Sequence, residues 1–364
     1  MKIALLGDIA LIGRYDRLIS DDVDKRIASV KKIVRNCDYV IANLESPLTR
    51  KQQTFACKGV YLRSDPQNVL TLKRMGVTHV TLANNHIFDY GKKGAEDTIK
   101  TLKRAGIKFV GLGYPSELLQ TEDTRVLIDG FCCLSANALN YGHSKGHVRL
   151  MTPETLEDFL KKAKEKRAIP LVSAHFGLEG LHYPSVEHIY LFRKLAENYD
   201  YILHGNHPHA IQGYEQYNKS LLLYAQGNLC FDEATVNSIH CVPKEKDEER
   251  KSYISIIEVS GTNLLGHEVH TMTDLRDDRI LEDERIREEL TLYNSVLKTS
   301  LNELSERRQE ELAVQKRNAT VRSLQFYLNR LNYKYIGAYL NGKIHAKKYR
   351  NTICKYYKIA EAEY

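Results

Sequence analysis

Short apolar runs alternate with helical patterns along the chain up to about residue 273. The runs at 3–6, 39–42, 124–128, 131–136, 170–174, 201–203, 220–224 and 253–259 have the length of buried strands. Between them, apolar residues recur at helical spacing and predict helices over 21–34, 153–166 and 186–198. Strands that alternate with helices indicate a parallel, layered α/β architecture.

Two segments of similar sequence, 71–82 and 101–112, support this prediction. Each contains a helix end, a glycine and a strand-like run, with the glycines at Gly76 and Gly106. Glycine commonly ends a helix by adopting the left-handed conformation. Asp65 and Pro66 supply the N-cap and the first helical residue of the helix that ends at Gly76.

The pattern changes after residue 273, which divides the chain into a domain over 1–273 and a separate, charged, helical C-terminal extension over 274–364. Residues 274–311 carry mostly Asp and Glu, whereas residues 314–358 carry almost only Lys and Arg, with interleaved tyrosines. Solvated helix faces explain such charges, and a docking surface for a polyanion, a membrane or another subunit is the alternative. Within that alternative, Leu290, Leu297 and Leu304 repeat at heptad spacing and could seed a short coiled coil, and with it a homo-oligomer.

The composition is that of an ordinary globular protein, with 43% hydrophobic and 27% charged residues. No apolar run approaches the roughly 18 residues of a membrane span, and the N-terminal run is too short for a signal peptide. A cytoplasmic location is therefore expected, or a peripheral one at the inner membrane surface. The seven cysteines lack Cys-x-x-Cys spacing and are predicted to be reduced thiols. The net charge of +7 would suit an anionic partner.

Polar residues follow directly after five of the predicted strands. They are Asp8; Asn43 and Glu45; Asn84, Asn85 and His86; His175; and His204, Asn206, His207 and His209. Ligands of α/β sheets bind at the carboxyl ends of the strands. Singly, each residue has a structural explanation as a helix cap, a turn residue or a buried histidine. Their occurrence at five strand ends predicts one shared site.

Two carboxylates, an amide and several imidazoles form a mixed oxygen and nitrogen ligand set that suits Mn, Fe or Zn. Two such ions, about 3.5–4 Å apart, activate a nucleophile and neutralise charge on a phosphoryl group. A histidine outside the ligand set would then protonate the leaving oxygen. His86, beside Asn85, is placed for that role.

The ordered motifs resemble those of the CapA family, which is named for poly-gamma-glutamate capsule synthesis. They are Gly7-Asp8, Asn43–Leu48, Ala83–Gly91, His175–Glu179, Gly205–His209 and Gly227–Asp232. The resemblance spans roughly residues 1–270. It implies a layered sandwich of the calcineurin-like metallophosphoesterase type, with two divalent metal ions and a bacterial origin.

The resemblance also implies roles for individual residues. Asp8 and His209 correspond to ligands of the first metal, Glu45 to the bridging carboxylate, and Asn85, His175 and His207 to ligands of the second metal. Asn43 competes with Glu45 for the bridging position. His86 corresponds to the proton donor, and Asp89 of the same motif is expected to be catalytic with it. Further residues are expected to contact the substrate or to support the ligands: Asn43, Asn84, Glu179, Asn228 and Asp232.

This sequence departs from the superfamily pattern in its site motifs, and the His-Phe-Gly at 175–177 is a mild variation that leaves the ligand intact. Asp8-Ile9-Ala10 stands where Asp-x-His is usual, so one imidazole of the first metal is missing. That site is expected to bind metal weakly, to prefer a harder ion or to stay empty. Asn84 replaces a glycine, which is tolerated because Asn also adopts the left-handed conformation.

The leading hypothesis is a metal-dependent phosphoester hydrolase that acts on a phosphorylated small molecule or polymer precursor in capsule or surface-polymer synthesis. One alternative is a non-catalytic accessory protein that binds an acidic polymer or a polymer synthase subunit. Another is a nucleic-acid phosphoesterase, because Lys, Arg and Tyr together suit a phosphate backbone and its bases. The loops 46–60, 137–151 and 178–187 are expected to choose the substrate.

Overall fold

A computed structural model describes residues 1–54, 60–136, 148–233, 247–275 and 279–318, and the isolated helical positions 336, 340 and 344. The strands are β1 (Lys2–Ile9), β2 (Tyr39–Leu44), β3 (His79–Thr81), β4 (Lys108–Val110), β5 (Glu117–Gln120), β6 (Arg125–Cys132), β7 (Ile169–His175), β8 (Ile202–Asn206), β9 (Tyr214–Tyr217), β10 (Ser220–Leu223), β11 (Asn228–Cys230), β12 (Lys251–Ser260), β13 (Asn263–Asp274) and β14 (Ile280–Glu282). The α-helices are α1 (Val23–Arg26), α2 (Ala28–Val34), α3 (Val69–Met75), α4 (Gly91–Ala105), α5 (Pro153–Glu165), α6 (Val186–Ala196), α7 (Glu284–Leu297) and α8 (Leu301–Asn318).

These strands form two mixed sheets within the described ranges. The first has the order β14-β13-β12-β1-β2-β3-β4, with β11 also paired to β1, and the second has the order β5-β6-β7-β8-β10-β9. The pairs β1–β2, β2–β3 and β3–β4 are parallel, as are β6–β7 and β7–β8. The carboxyl ends of these parallel strands carry the polar residues that the sequence singled out. The predicted layered α/β fold is confirmed.

Alternate residues of the strands belong to different layers of the core. Ile3 and Leu5 of β1 pack in the cluster that joins the two sheets. Ala4 and Leu6 pack in the cluster that the first sheet shares with α2, α3 and α4. The second sheet is covered on its other face by α5 and α6. The alternation follows from the two-residue period of a strand and produces a sandwich of helices, two sheets and helices.

The repeated helix, glycine and strand pattern is confirmed. Helices α3 and α4 end at Gly76 and Gly106, both in the left-handed conformation, and β3 and β4 follow. The two strands predicted over 124–128 and 131–136 are instead one strand, β6, followed by a short turn. The strand continues because Asp129, at its centre, is buried and accepts a hydrogen bond from Ser116 Oγ at 2.8 Å.

Described residues of the predicted C-terminal extension pack against the two sheets. The extension was predicted to be helical, but it also contains a strand, since β14 pairs antiparallel with β13 in the first sheet. Leu290, Leu297 and Leu304 are each 1–2% exposed and pack in apolar clusters of this chain. The predicted coiled coil is therefore wrong for these leucines, because the domain already covers them. The division at residue 273 stays a prediction, and most of 319–364 lies outside the described residues.

Two further predictions concern thiols and membrane spans. Four cysteines of the described residues, Cys37, Cys132, Cys133 and Cys230, are free, and the last three are buried. This agrees with the prediction of reduced thiols for those four. Among the described helices, none is both long and apolar enough to cross a bilayer.

His204 joins the two sheets and is not placed to bind metal. Its Nε2 lies 2.8 Å from the carbonyl oxygen of Leu6 in β1, and its Nδ1 lies 3.2 Å from Ser173 Oγ in β7. The side chain is completely buried. Among the strand-end residues, His204 therefore has a structural role, and burial lowers its pKa to about 4.

We expect the metal-free protein to lose stability as the pH falls from about 6.5 to about 4. Burial lowers the pKa of His204 and of His188 to about 4, whereas an unfolded histidine has a pKa of about 6.5. Within this window the unfolded chain binds protons that the folded chain excludes, so the free energy of unfolding decreases by about 1.4 kcal/mol per pH unit for each histidine. Urea unfolding at a series of pH values, with chelator present, measures this slope.

His188→Gln should remove one histidine's contribution to the dependence of the free energy of unfolding on pH. This holds whether or not the substitution changes stability at pH 7.5. The matched control is His270→Gln, which replaces a partly exposed histidine of β13. A slope that is unchanged in His188→Gln would contradict the prediction.

Candidate metal centre

The ends of β1 and β2 bring two carboxylates into the sandwich. Asp8 lies opposite Asn43 in the parallel register of these strands, and Asn43 Nδ2 donates to Asp8 Oδ1 at 2.7 Å. Glu45 follows β2 and is fully buried. Asn43 directs its amide N–H at Asp8 and its oxygen at Asn84, 3.2 Å from Asn84 Nδ2. In this orientation the Asn43 amide bonds to both Asp8 and Asn84.

Gly7 is required for the close approach of the neighbouring strand. A Cβ at this residue would lie 2.2 Å from the carbonyl oxygen of Gly227. That carbonyl accepts a hydrogen bond from the N–H of Asp8 at 2.9 Å. The Gly-Asp motif therefore fixes the backbone of Asp8 against the segment that leads into β11.

Asn84 shapes the turn that presents Asn85 and His86. Its Oδ1 accepts from the N–H groups of His86 and Ile87 at 3.1 and 3.0 Å, and its Nδ2 donates to the carbonyl of Leu44 at 2.8 Å. Asn is suited to such a turn because its side chain bonds to nearby backbone groups. Asn84 thus supports its neighbours. Asn85 Oδ1 lies 3.0 Å from His175 Nε2.

Three histidines come from the ends of β7 and β8. The rings of His175 and His207 are 4.5 Å apart between centroids, and the N–H of His207 donates to Asp8 Oδ2 at 3.0 Å. His207 and His209 have positive φ values of 101° and 57°. Such backbone is costly for residues other than glycine and is concentrated at functional sites. The strained turn directs both imidazoles at the carboxylates.

The predicted ligands converge in two groups that share Glu45. One group contains Glu45, His175 and His207, and the other contains Asp8, Glu45 and His209. Within each group the ligand atoms lie within 4.8 Å of one another. Bonds of about 2.0–2.2 Å to a central ion would bring ligand atoms to comparable separations. The residues therefore fit two adjacent metal ions with one carboxylate in common.

A third group adds Glu179 to His207 and His209, again with ligand atoms within 4.8 Å of one another. Glu179 is exposed, whereas His207 is buried. The sequence placed Glu179 among residues that contact substrate or support the ligands. In the structure its carboxylate lies within coordinating reach of two imidazoles.

The centre carries an excess of buried negative charge. Burial alone would lower the pKa of His209, but the carboxylates of Glu45, Asp8 and Glu179 raise it to about 9. Burial raises the pKa of Asp8, against the opposing effect of His209. Buried carboxylates are stable when a cation compensates their charge. A divalent ion would replace the proton that His209 otherwise holds.

His86 and Asp89 form a pair beside the ligands. His86 Nδ1 lies 2.7 Å from Asp89 Oδ2, and its Nε2 lies 3.8 Å from Glu45 Oε1. Asp89 is fully buried and also accepts from the N–H of Leu62 at 2.8 Å. His86 belongs to none of the three ligand groups found among the described residues. Asp89 thus holds Nδ1 of the imidazole, and Nε2 is directed at the centre.

The remaining candidates have different surroundings. Asn228 Oδ1 lies 2.9 Å from His209 Nδ1 and orients that ring. Asp232 forms an ion pair with Arg14 and accepts from the N–H of Arg14 at 2.6 Å, so it anchors the loop after β1. Phe231 packs edge-on against His209 at 5.0 Å between centroids. Sequence reasoning did not single out Phe231, although it stands within the motif Gly227–Asp232.

Parts of the predicted substrate loops are described. Residues 55–59 and 137–147 lie outside the described part of the chain. The loop at 178–187 is described, and it contacts both the 207–212 segment and α8.

Known proteins resemble this chain over the region that contains the site motifs. A sequence model of the family described as "Bacterial capsule synthesis protein PGA_cap" matches residues 2–233. The capsule biosynthesis protein CapA of Bacillus anthracis is 30% identical over 249 residues, covering 64% of this chain and 60% of that protein. The PGA biosynthesis protein CapA of Bacillus subtilis (strain 168) is 28% identical over 243 residues, 64% of each. The chain thus spans 60–64% of the length of these curated relatives.

A more distant relative is a "Probable polyglutamine synthesis accessory protein" of Mycobacterium tuberculosis, 24% identical over 245 residues, 63% of this chain and 64% of that protein. Among solved structures, a hypothetical protein of Thermus thermophilus matches with a TM-score of 0.46 and 15% identity, covering 75% of this chain and 100% of that one. A 5'-nucleotidase precursor of the same organism matches with a TM-score of 0.45 and 13% identity, covering 81% and 58%.

Proposed function

This chain belongs to the family of bacterial capsule synthesis proteins called PGA_cap, and on that premise we propose that it is a metal-dependent phosphoester hydrolase. One observation carries the proposal. Glu45 belongs to two of the three groups of metal-ligating side chains, and the His86–Asp89 pair lies directly beside it. A centre for two metals with an adjacent proton donor is suited to phosphoester hydrolysis.

In the proposed reaction the residues have separate roles as metal ligands, proton donor and supporting groups. Asp8, Glu45, Asn85, His175, His207 and His209 would hold the two ions, with Mn, Fe or Zn favoured by the imidazole content. When bound, such ions supply Lewis acidity and a water nucleophile of lowered pKa. His86 protonates the leaving oxygen through Nε2, while Asp89 holds Nδ1 and keeps the ring oriented. Asn228 and Asn43 fix the ligands His209 and Asp8.

The proposed substrate is a phosphorylated precursor of a capsule or another surface polymer. The names of the Bacillus relatives support this class, since they refer to capsule and PGA biosynthesis. The net charge of +7 is also favourable for an anionic substrate.

Metal removal tests the proposed activity directly. The purified protein is expected to contain divalent metal by mass spectrometry and to hydrolyse members of a panel of phosphomonoesters and phosphodiesters when Mn²⁺ is present. Chelation should abolish turnover, and added Mn²⁺ should restore it. His207→Ala should lose metal and turnover, whereas His270→Ala, on strand β13, should keep both. Wild-type protein that binds no metal and turns over no ester would overturn the proposal.

A second candidate is a non-catalytic accessory protein that binds an acidic polymer or a synthase subunit. The name of the Mycobacterium tuberculosis relative favours it, as does the run of Lys and Arg over 314–358. It requires no turnover. Binding of poly-gamma-glutamate that weakens with salt, and that is equal in wild type and His86→Ala, would support this candidate if the ester panel stays unreacted.

A further inference from the structure

The loop between β7 and α6 brings Glu179 to the edge of the metal centre. Its carboxylate and the imidazoles of His207 and His209 have ligand atoms within 4.8 Å of one another. His209 is also a member of the group with Asp8 and Glu45. Glu179 therefore shares His209 with the group of Asp8 and Glu45, and it shares His207 with the group of Glu45 and His175.

The group with Asp8 lacks one ligand of the superfamily pattern. Position 10, where the superfamily pattern has a histidine, is occupied by Ala10, which is buried in a small apolar cluster with Ile12 and Leu62. That leaves Asp8, Glu45 and His209 as the protein ligands of this group. Protein zinc sites commonly have three or four protein ligands, so a further carboxylate would restore the usual upper number.

Helix α8 holds the Glu179 loop from its outer side. Gln315 Nε2 donates to the carbonyl of Glu179 at 2.8 Å, and Glu311 Oε1 accepts from the N–H of His182 at 2.8 Å. The guanidinium of Arg308 donates to the carbonyl of Tyr183. The spacing of Arg308, Glu311 and Gln315 places them on one face of the helix. One face of α8 thus bonds to three backbone groups of the loop.

The inner side of the loop is tied to the segment that carries the histidines. The N–H of Gly180 donates to the carbonyl of Pro208 at 2.7 Å, and Gln212 Nε2 donates to the carbonyl of Leu181 at 2.8 Å. The loop therefore lies between α8 and the turn of His207 and His209. A shift of α8 would move Glu179 relative to these imidazoles.

We propose that Glu179 is a metal ligand of the site formed by Asp8, Glu45 and His209, and that α8 holds it in place. This inference rests on the proposed function, because it presupposes the metal centre. It assigns a role to a helix that lies outside the family match, which ends at residue 233. The C-terminal extension would then contribute directly to the site by setting the position of a ligand.

Manganese binding tests the ligand role without reference to turnover. Titration calorimetry and electron paramagnetic resonance with Mn²⁺ should show two bound ions with magnetic coupling in the wild type. Glu179→Gln is expected to lower the affinity for one ion by at least about tenfold, which equals or exceeds the effect of losing a supporting partner. It should also replace the coupled spectrum by that of isolated Mn²⁺. Asp8→Asn should produce the same spectrum.

The role of α8 is tested with paired variants on the two faces of the helix. Glu311→Ala and Gln315→Ala should lower the affinity for the same ion several-fold. The controls Glu310→Ala and Gln309→Ala, on the exposed face, should bind Mn²⁺ as the wild type does. Equal binding in all four variants would overturn the role of α8.

The outcomes also separate this inference from the proposed function. Two tightly bound, coupled ions in Glu179→Gln would overturn the ligand assignment and leave the metal centre intact. Wild-type protein that binds no Mn²⁺ would overturn both.

Discussion

Glu45→Gln is expected to prevent the binding of both metal ions and to abolish metal-dependent turnover. Glu45 is fully buried, and its Oε1 lies 3.5 Å from His209 Nε2 and 4.0 Å from His175 Nε2. It is therefore the one acidic side chain common to these two groups of ligands among the described residues. The affinity for each ion should fall by more than the roughly 10- to 100-fold that follows removal of a supporting partner.

Thermal unfolding gives a second measurement of the same prediction. A ligand that binds only the folded state stabilises it in proportion to the logarithm of its concentration over Kd, which reaches about 2.7 kcal/mol at 100 times Kd. Saturating Mn²⁺ should thus raise the Tm of the wild type and leave that of Glu45→Gln unchanged. Glutamine has nearly the same volume, so the variant should fold in chelator.

The matched control is Glu258→Gln, which changes an exposed glutamate of β12. It should keep both ions and the Mn²⁺-dependent rise in Tm. Retention of both ions in Glu45→Gln would contradict the shared-carboxylate assignment and would require another bridging group.

The sequence predicted that these side chains converge because they follow strands with a clear apolar signal. Asp8, Glu45 and His175 each end or follow a run of buried residues, and parallel strands bring their carboxyl ends to one edge. The order of the motifs then predicted Asn85, His207 and His209 as further ligands. Local patterns were sufficient here because each ligand is positioned by the strand beside it.

The contacts that the sequence missed join distant parts of the chain. Asp232 pairs with Arg14, 218 residues away, and Gln315 bonds to Glu179, 136 residues away. No local periodicity encodes such pairs. The short strand β14 was also missed, since three residues with a single buried position carry no period-two pattern. Its place in the sheet is decided by pairing with β13.

His86→Ala, at the proposed proton donor, is expected to lower turnover by about 10²- to 10⁴-fold, the usual contribution of general acid catalysis, while both metal ions stay bound. The reason is that His86 lies beside the ligands but belongs to none of their groups within the described residues. Mass spectrometry of bound metal and steady-state assays of the same preparations measure the two effects.

The leaving group distinguishes protonation from substrate binding. An alkyl phosphate has a basic leaving oxygen that needs a proton, whereas a nitrophenyl phosphate leaves readily without one. His86→Ala should therefore lose much more activity toward the alkyl ester than toward the aryl ester. Asp89→Asn should follow the same pattern with a smaller loss, because the carboxylate 2.7 Å from Nδ1 orients the ring and stabilises its charged form. Equal losses toward both esters would show that His86 binds substrate and that another group donates the proton.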